Sequence, residues 1–309
     1  MRAADGPSTG WRVHGTSATG YRHLRERTPC QDAYAYNETA SGLVLAVADG
    51  AGSAPYSREG ARQAVRLAME AFPPTATPWE RLPDARARKE ELTEAFRQVR
   101  SAFLRWCQGS PGPYATTLTV VVLARGWLGQ LTVGDGLVLV RTGTGGGTDT
   151  GAGTGSVGGT GSTGGTDSGG GTGSGGFSGS GAGAPPHSVP CSPSYHLLPR
   201  AHTGSEYANE TVFVGSPTAL AQLRVDCVRD EGVEGVLLST DGLTHALLRR
   251  APSGPPLPHD AFLGHLFDRL ARPDYHPAEE ERRLKDFLGS DQITRVTGDD
   301  KTLLWAIRT

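Results

Sequence analysis

Apolar positions along the chain follow two rhythms, and their alternation predicts the elements. Short apolar runs at 11–15 and 33–36 read as strands flanking a loop rich in Arg and His. The run 43–48 is apolar without a break and reads as a strand buried on both faces. The rhythm then changes: Ala61, Ala64, Val65, Ala68, Met69 and Phe72 recur at helical spacing, with Ser57 placed to cap and Pro73-Pro74 as the stop. A second helix is expected from about Arg88 to Cys107, with Leu92, Phe96, Val99, Phe103 and Trp106 on one face. From 116 to 141, Thr-, Val- and Leu-rich runs broken at Arg125-Gly126 and Gly134-Asp135-Gly136 predict three successive antiparallel strands. Strand-like runs resume at 195–198, 211–214 and 236–240, helical segments follow at about 259–270 and 279–287, and a strand at 302–307 closes the pattern. That last strand is expected to join the sheet begun near the N-terminus.

Neither rhythm describes 142–190, a tract of Gly, Thr and Ser holding about half of the chain's 44 glycines. Such a composition cannot offset its own ordering entropy and predicts disorder. As a free coil it would span about 40 Å, or its ends could meet at the base of one hairpin. The second option makes it an insertion in a single domain covering 10–309.

Composition narrows the class. In 309 residues there is room for a large core. The formal net charge of −2 offers no basic field, so nucleic acid and anionic membrane are not expected partners. Cys30, Cys107, Cys191 and Cys227 form no CxxC pair, which argues against a zinc site or disulfide framework and suits a reduced, cytoplasmic setting. The first ten residues lack an apolar core, and no window approaches the ~20 apolar residues of a spanning helix. A soluble, unexported protein is the expectation.

The chemistry lies where strands end. Asp49, Asp135, Asp241 and Asp299 each stand beside an apolar strand run. Any one of them is explained by a turn. Together they suggest more, because clustered carboxylates repel and raise one another's pKa unless a cation sits among them, and oxygen-only donors suit Mg²⁺ or Mn²⁺. Two such ions about 3.5 to 4 Å apart support in-line hydrolysis of a phosphate ester.

Four ordered pieces, Thr28-Pro29-Cys30-Gln31-Asp32-Ala33, Val47-Ala48-Asp49-Gly50-Ala51-Gly52, Val133-Gly134-Asp135-Gly136 and Ser239-Thr240-Asp241-Gly242-Leu243, followed by Asp299-Asp300-Lys301-Thr302, resemble the metal-dependent type 2C protein serine/threonine phosphatases, in particular their short bacterial members. The resemblance implies an α+β fold, a four-layer α/β/β/α sandwich with two central antiparallel sheets flanked by helices. It also implies two Mn²⁺ or Mg²⁺ ions and hydrolysis of phosphoserine or phosphothreonine by direct attack of a metal-bridging hydroxide. Asp49 then matches the aspartate bridging both ions, with the Gly50 carbonyl as a further ligand. Asp241 and Asp299 match the remaining carboxylate ligands, Asp32 an acid beside metal-bound waters, and Asp135 an acid that helps hold a third, looser ion. Arg27, five residues before Asp32, is similar to the arginine that grips substrate phosphate, with Arg22 and Arg25 as rivals and a solvated basic surface as the plainer account of the loop.

Several positions depart from the family pattern. Gln31 replaces a glutamate, His245 a supporting aspartate, Ala51 a histidine and Asp300 a common asparagine. Leaving-group protonation would fall to a metal-bound water, or to His23 or His245. The stretch Gly204-Ser205-Glu206-Tyr207-Ala208-Asn209-Glu210-Thr211 resembles one in the bacterial subgroup, and no chemical role follows from it. Phosphorylated proteins are the implied partners, with a serine/threonine kinase acting on the same substrates in a signalling setting. A phosphoprotein-binding module that has lost turnover, motivated by Gln31, Ala51 and His245, and a hydrolase of small phosphate esters are the alternatives.

Overall fold

The structure, a computed structural model, describes residues 10–39, 42–72, 79–143, 193–199, 211–229 and 232–309. In chain order the strands are β1 (Trp11–Ala18), β2 (Ala33–Thr39), β3 (Gly42–Ala48), β4 (Leu118–Ala124), β5 (Trp127–Val133), β6 (Leu137–Thr142), β7 (Ser194–Leu197), β8 (Arg224–Arg229), β9 (Val233–Ser239), β10 (Leu248–Arg249), β11 (Leu257–Pro258) and β12 (Lys301–Arg308). The helices are α1 (Tyr21–Glu26), α2 (Ser57–Ala71), α3 (Ala85–Trp106), α4 (Thr244–Leu247), α5 (Asp260–Ala271), α6 (Pro277–Leu288) and α7 (Asp291–Thr294). One five-stranded sheet runs β1-β12-β9-β6-β7 and the other β2-β3-β4-β5-β8, with every pairing antiparallel.

The unbroken apolar runs follow from these strands being covered on both faces. On β3, Leu43, Leu45 and Val47 point inward and meet Val138, Val140, Val236, Leu238 and Leu304 of the other sheet. Between them Val44, Ala46 and Ala48 point outward, against Ala61, Ala64, Leu92, Phe96 and Phe103 of α2 and α3. The outer face of the second sheet, with Leu137, Leu237, Leu303, Trp305 and Ile307, packs on Leu263, Phe267, Leu284 and Leu288 of α5 and α6. Three cores thus separate four layers, the α+β sandwich that the type 2C resemblance implied.

Contacts separate the chain into two units, Met1–Thr148 with Ser192–Thr309, and Asp149–Cys191. Every described residue falls in the first. The Gly-rich tract from 144 on, and the disorder expected of it, lie outside the described residues, as do residues 204–210 of the stretch ending at Thr211. The strands bracketing the tract are direct antiparallel partners, with Thr142 opposite Ser194 and Leu139 opposite Leu197.

Some local expectations change. Ser57 is the first residue of α2 rather than its cap: Tyr56 holds the cap position and Ser57 Oγ is buried without a hydrogen-bond partner. Phe72 ends that helix in an extended conformation, as a residue before proline favours. Residues 211–214 form no strand, although Val214 N donates to Thr116 O at 2.9 Å. The Arg- and His-rich loop contains α1, and β8 joins the sheet edge without having been expected.

Candidate active site

Antiparallel register brings the acids to one rim. Ala33, which opens β2, lies opposite Ala48, which closes β3, so Asp32 and Asp49 emerge side by side. In the other sheet Ser239 closes β9 opposite Leu137 at the start of β6 and Leu303 near the start of β12. Asp241 therefore leaves beside Asp299 and Asp300, and Asp135 sits in the turn joining β5 to β6.

Asp49 is fixed through its backbone. Its N–H donates to Thr117 Oγ1 at 2.9 Å, while its carbonyl accepts from Thr117 N at 2.8 Å and Thr116 Oγ1 at 2.9 Å. Gly50 must be small: a Cβ there would lie 2.7 Å from Ser57 O and 2.9 Å from Gln31 O. Gly242 is tighter, since a Cβ would fall 1.9 Å from Asp300 O, so the Asp241 turn and the Asp299-Asp300 turn pack backbone against backbone. Asp32, almost fully buried, accepts from Thr240 Oγ1 at 2.8 Å, and Thr240 in turn accepts from Thr302 N at 3.2 Å.

The electrostatics are those of crowded anions. Burial pushes the Asp32 carboxyl up to about 7 against the hydrogen bonds from Thr240 and Thr302, with the charges of Asp300 and Asp241 adding to the rise. Burial also raises Asp49 well above the usual carboxylate range, helped by Asp32, Asp241 and Asp135. Asp241 is raised by burial first, then by Asp135 and Asp299. Asp49 and Asp241 are each among the groups that perturb the other, which places the two carboxyls close together at the rim.

Those observations test the site against a divalent cation. Asp32 Oδ1 and Asp241 Oδ1 are buried acceptors with no hydrogen-bond donor, and the carboxyls of Asp49, Asp135 and Asp299 lie near enough to perturb them or one another. Charge and donor type fit Mg²⁺ or Mn²⁺. Among the described residues no three His, Cys, Asp or Glu side chains form a ready-made ligand set, so the carboxyls are gathered without being closed into a cage. The exposed Asp299 is the outlying member, its Oδ1 accepting from Asp300 N at 2.9 Å.

Arg27 caps α1 in the left-handed region, φ 58°, and is exposed. Arg22 lies over Gly298, where an added Cβ would come 3.1 Å from its Nε, and Arg25 stacks on Tyr21 at 5.8 Å from the ring centre. Gln31 is buried, and its Oε1 is an acceptor without a donor on the side of Gly52. His245 is exposed on α4. His23 is committed elsewhere, with Nδ1 2.9 Å from Asp300 Oδ2. Sequence reasoning missed the threonines that hold the acids, Thr116, Thr117, Thr240 and Thr302. A signal was available for Thr240, which adjoins Asp241, and for Thr302, two residues after Asp300; Thr116 and Thr117 meet Asp49 only through the fold. A separate cleft at the α5–α6 corner contains Arg269, Arg272 and Arg283, each already paired with an acid, Glu280, Asp274 and Glu279 respectively.

Two face-to-face antiparallel sheets, helices on both outer surfaces and acids gathered at one rim define the class as a type 2C phosphatase fold. The chain belongs to the protein phosphatase 2C family, whose pattern matches residues 19–150 and 192–289. It is 27% identical over 307 residues to serine/threonine-protein phosphatase 3 of Escherichia coli K12, spanning 96% of this chain and 99% of that one. Among solved structures, serine-threonine phosphatase 2C from Toxoplasma gondii superposes with a TM-score of 0.59 at 11% identity, over 99% of this chain and 96% of the other. Stp1, a serine/threonine phosphatase from Staphylococcus aureus, gives 0.51 at 12% identity, over 99% and 98%. At these identities the structural likeness speaks for the fold. No helix among the described residues is long and apolar enough to cross a membrane.

Proposed function

We propose that the protein is a Mn²⁺- or Mg²⁺-dependent serine/threonine phosphatase acting on phosphorylated proteins. The observation that carries this reading is the gathering of Asp32, Asp49 and Asp241 at the rim of a type 2C fold, with buried acceptor oxygens of Asp32 and Asp241 lacking a donor and with Asp135 and Asp299 nearby. Asp49, the Gly50 carbonyl, Asp241 and Asp299 would hold two ions, and Asp135 would assist a third. When bound, the ions supply an acidified water as nucleophile and neutralise charge on the phosphoryl group. Asp32, held by Thr240, orients and takes up protons from water beside the phosphorus. Arg27 offers a planar fork of donors to the phosphate oxygens.

The 142–190 tract is, in this reading, an insertion between β6 and β7 within one domain, which their direct pairing supports. A cytoplasmic protein opposing a serine/threonine kinase is the setting that fits. Hydrolysis of p-nitrophenyl phosphate and of phosphoserine and phosphothreonine peptides tests the assignment. Turnover should require Mn²⁺ or Mg²⁺ and be lost in Asp49→Asn, with peptides preferred to small metabolites. Wild-type protein without metal-dependent turnover would sink the catalytic reading and leave a binding module.

A further inference from the structure

Asp300 does not belong to the ligand set, yet it makes the densest polar contacts near the site. It is almost wholly buried at the start of β12. Oδ1 accepts from Gly20 N at 2.6 Å, Oδ2 accepts from Gln31 N at 2.6 Å, and His23 Nδ1 lies 2.9 Å from Oδ2. Gly20 precedes α1 and Gln31 precedes Asp32, so one carboxylate ties down both ends of the excursion that carries Arg22, Arg25 and Arg27 and leads into Asp32. The start of α1 is held to the same turn, with Arg22 N donating to Gly298 O at 3.1 Å. Lys301, fully buried, donates Nζ to Asp299 O at 3.1 Å and supplies a positive charge beside the carboxylate. A buried anion without such partners would be costly, and here two N–H donors and the Lys301 ammonium offset its desolvation, with the His23 ring packed 2.9 Å away.

We propose that Asp300, with His23, is a positioning pair that fixes the Arg27-bearing segment for phosphate binding, an inference that rests on the phosphatase reading for its functional half. The carboxylate is required rather than its amide. Both oxygens face N–H donors, and asparagine has one acceptor oxygen, so its NH₂ would be driven against Gly20 N or Gln31 N. Release of either end lets Arg27 move relative to Asp49 while leaving the acids of β3 and β9 in place. The effect therefore falls on phosphate recognition before it falls on metal binding.

The test uses the full-length protein with Asp300→Asn, His23→Ala and His23→Asn, the last keeping a side-chain N–H donor. Residue-resolved amide hydrogen exchange reads the clamp directly and needs no catalysis. In folded Asp300→Asn the Gly20 and Gln31 amides should exchange about tenfold faster or more, as loss of one hydrogen bond implies, while β3 and β4 amides keep their protection. With Mn²⁺ present, KM for a phosphopeptide and Ki for inorganic phosphate should rise about tenfold by the same reckoning, with kcat and the Mn²⁺ requirement less affected. His23→Ala should follow in part and His23→Asn should restore most of the loss. Unchanged exchange at Gly20 and Gln31 would overturn the clamp. Faster exchange with unchanged KM and Ki would reduce Asp300 to a structural residue. If the wild type shows no turnover, the phosphatase reading fails instead, and protection of the two amides by Asp300 still decides the positioning role.

Discussion

Arg27 takes a left-handed conformation that non-glycine residues adopt only at a cost, about 1–2 kcal/mol. Its own N–H bonds Leu24 O at 3.3 Å and Thr28 N bonds His23 O at 2.8 Å, closing α1 and turning the Arg27 side chain outward. Arg27→Ala should therefore raise KM for a phosphorylated substrate by about ten- to a hundredfold, as expected for lost charge-assisted hydrogen bonds. Arg25→Ala, whose guanidinium is engaged with the exposed Tyr21, should stay near wild type in the same steady-state assay. A loss carried by Arg22 or Arg25 instead would move the phosphate-gripping role to that residue. At this scale the sequence was legible where an acid follows an apolar run, as at Asp49. Asp300 was illegible because its meaning depends on donors 269 and 280 positions away.

Among the elements, the long buried strands and the two long helices α2 and α3 were readable because their apolar positions keep strict period. The elements that escaped have no apolar rhythm to read. In α1 no residue is buried, and β8 alternates Arg224, Asp226 and Val228 with Val225, Cys227 and Arg229 at a sheet edge. Asp226 makes that edge strand look like a loop, yet it is held by Arg224 at 2.7 Å and Gln130 at 3.3 Å. Capping was misread at Ser57 and found instead at Asp84, which accepts from Ala87 N at 2.8 Å to start α3. The β6–β7 pair carries its own prediction. Since Thr142 and Ser194 already face each other, removing residues 145–183 should leave the melting temperature and p-nitrophenyl phosphate turnover close to wild type. A collapse of either would make the tract structural.

For the whole molecule, the four layers follow from runs that are apolar on both faces, but the order β1-β12-β9-β6-β7 could not be read, because periodicity says which face is buried and nothing about the neighbour. Global stability should carry the signature of the acid rim. Asp32, Asp49 and Asp241 have raised carboxyl pKa values in the fold, so their contribution is fully present below the unfolded value of about 4 and is lost as pH rises through the folded values, about 7 for Asp32. A divalent cation replaces the lost protons. The gain in melting temperature on adding Mn²⁺ should thus be larger at pH 7.5 than at pH 5.5 by scanning calorimetry, and equal gains would contradict ion binding by these acids. One feature of the sheet order bears on biosynthesis. β12 is translated after every other described strand, yet it lies between β1 and β9. Until residues 301–308 have left the ribosome, β1 and β9 each present a bare, unpaired edge, and Asp299 is not yet beside Asp241. The nascent polypeptide therefore remains both incompletely closed and without its full acid rim until that strand inserts, which couples the onset of activity to the completion of folding.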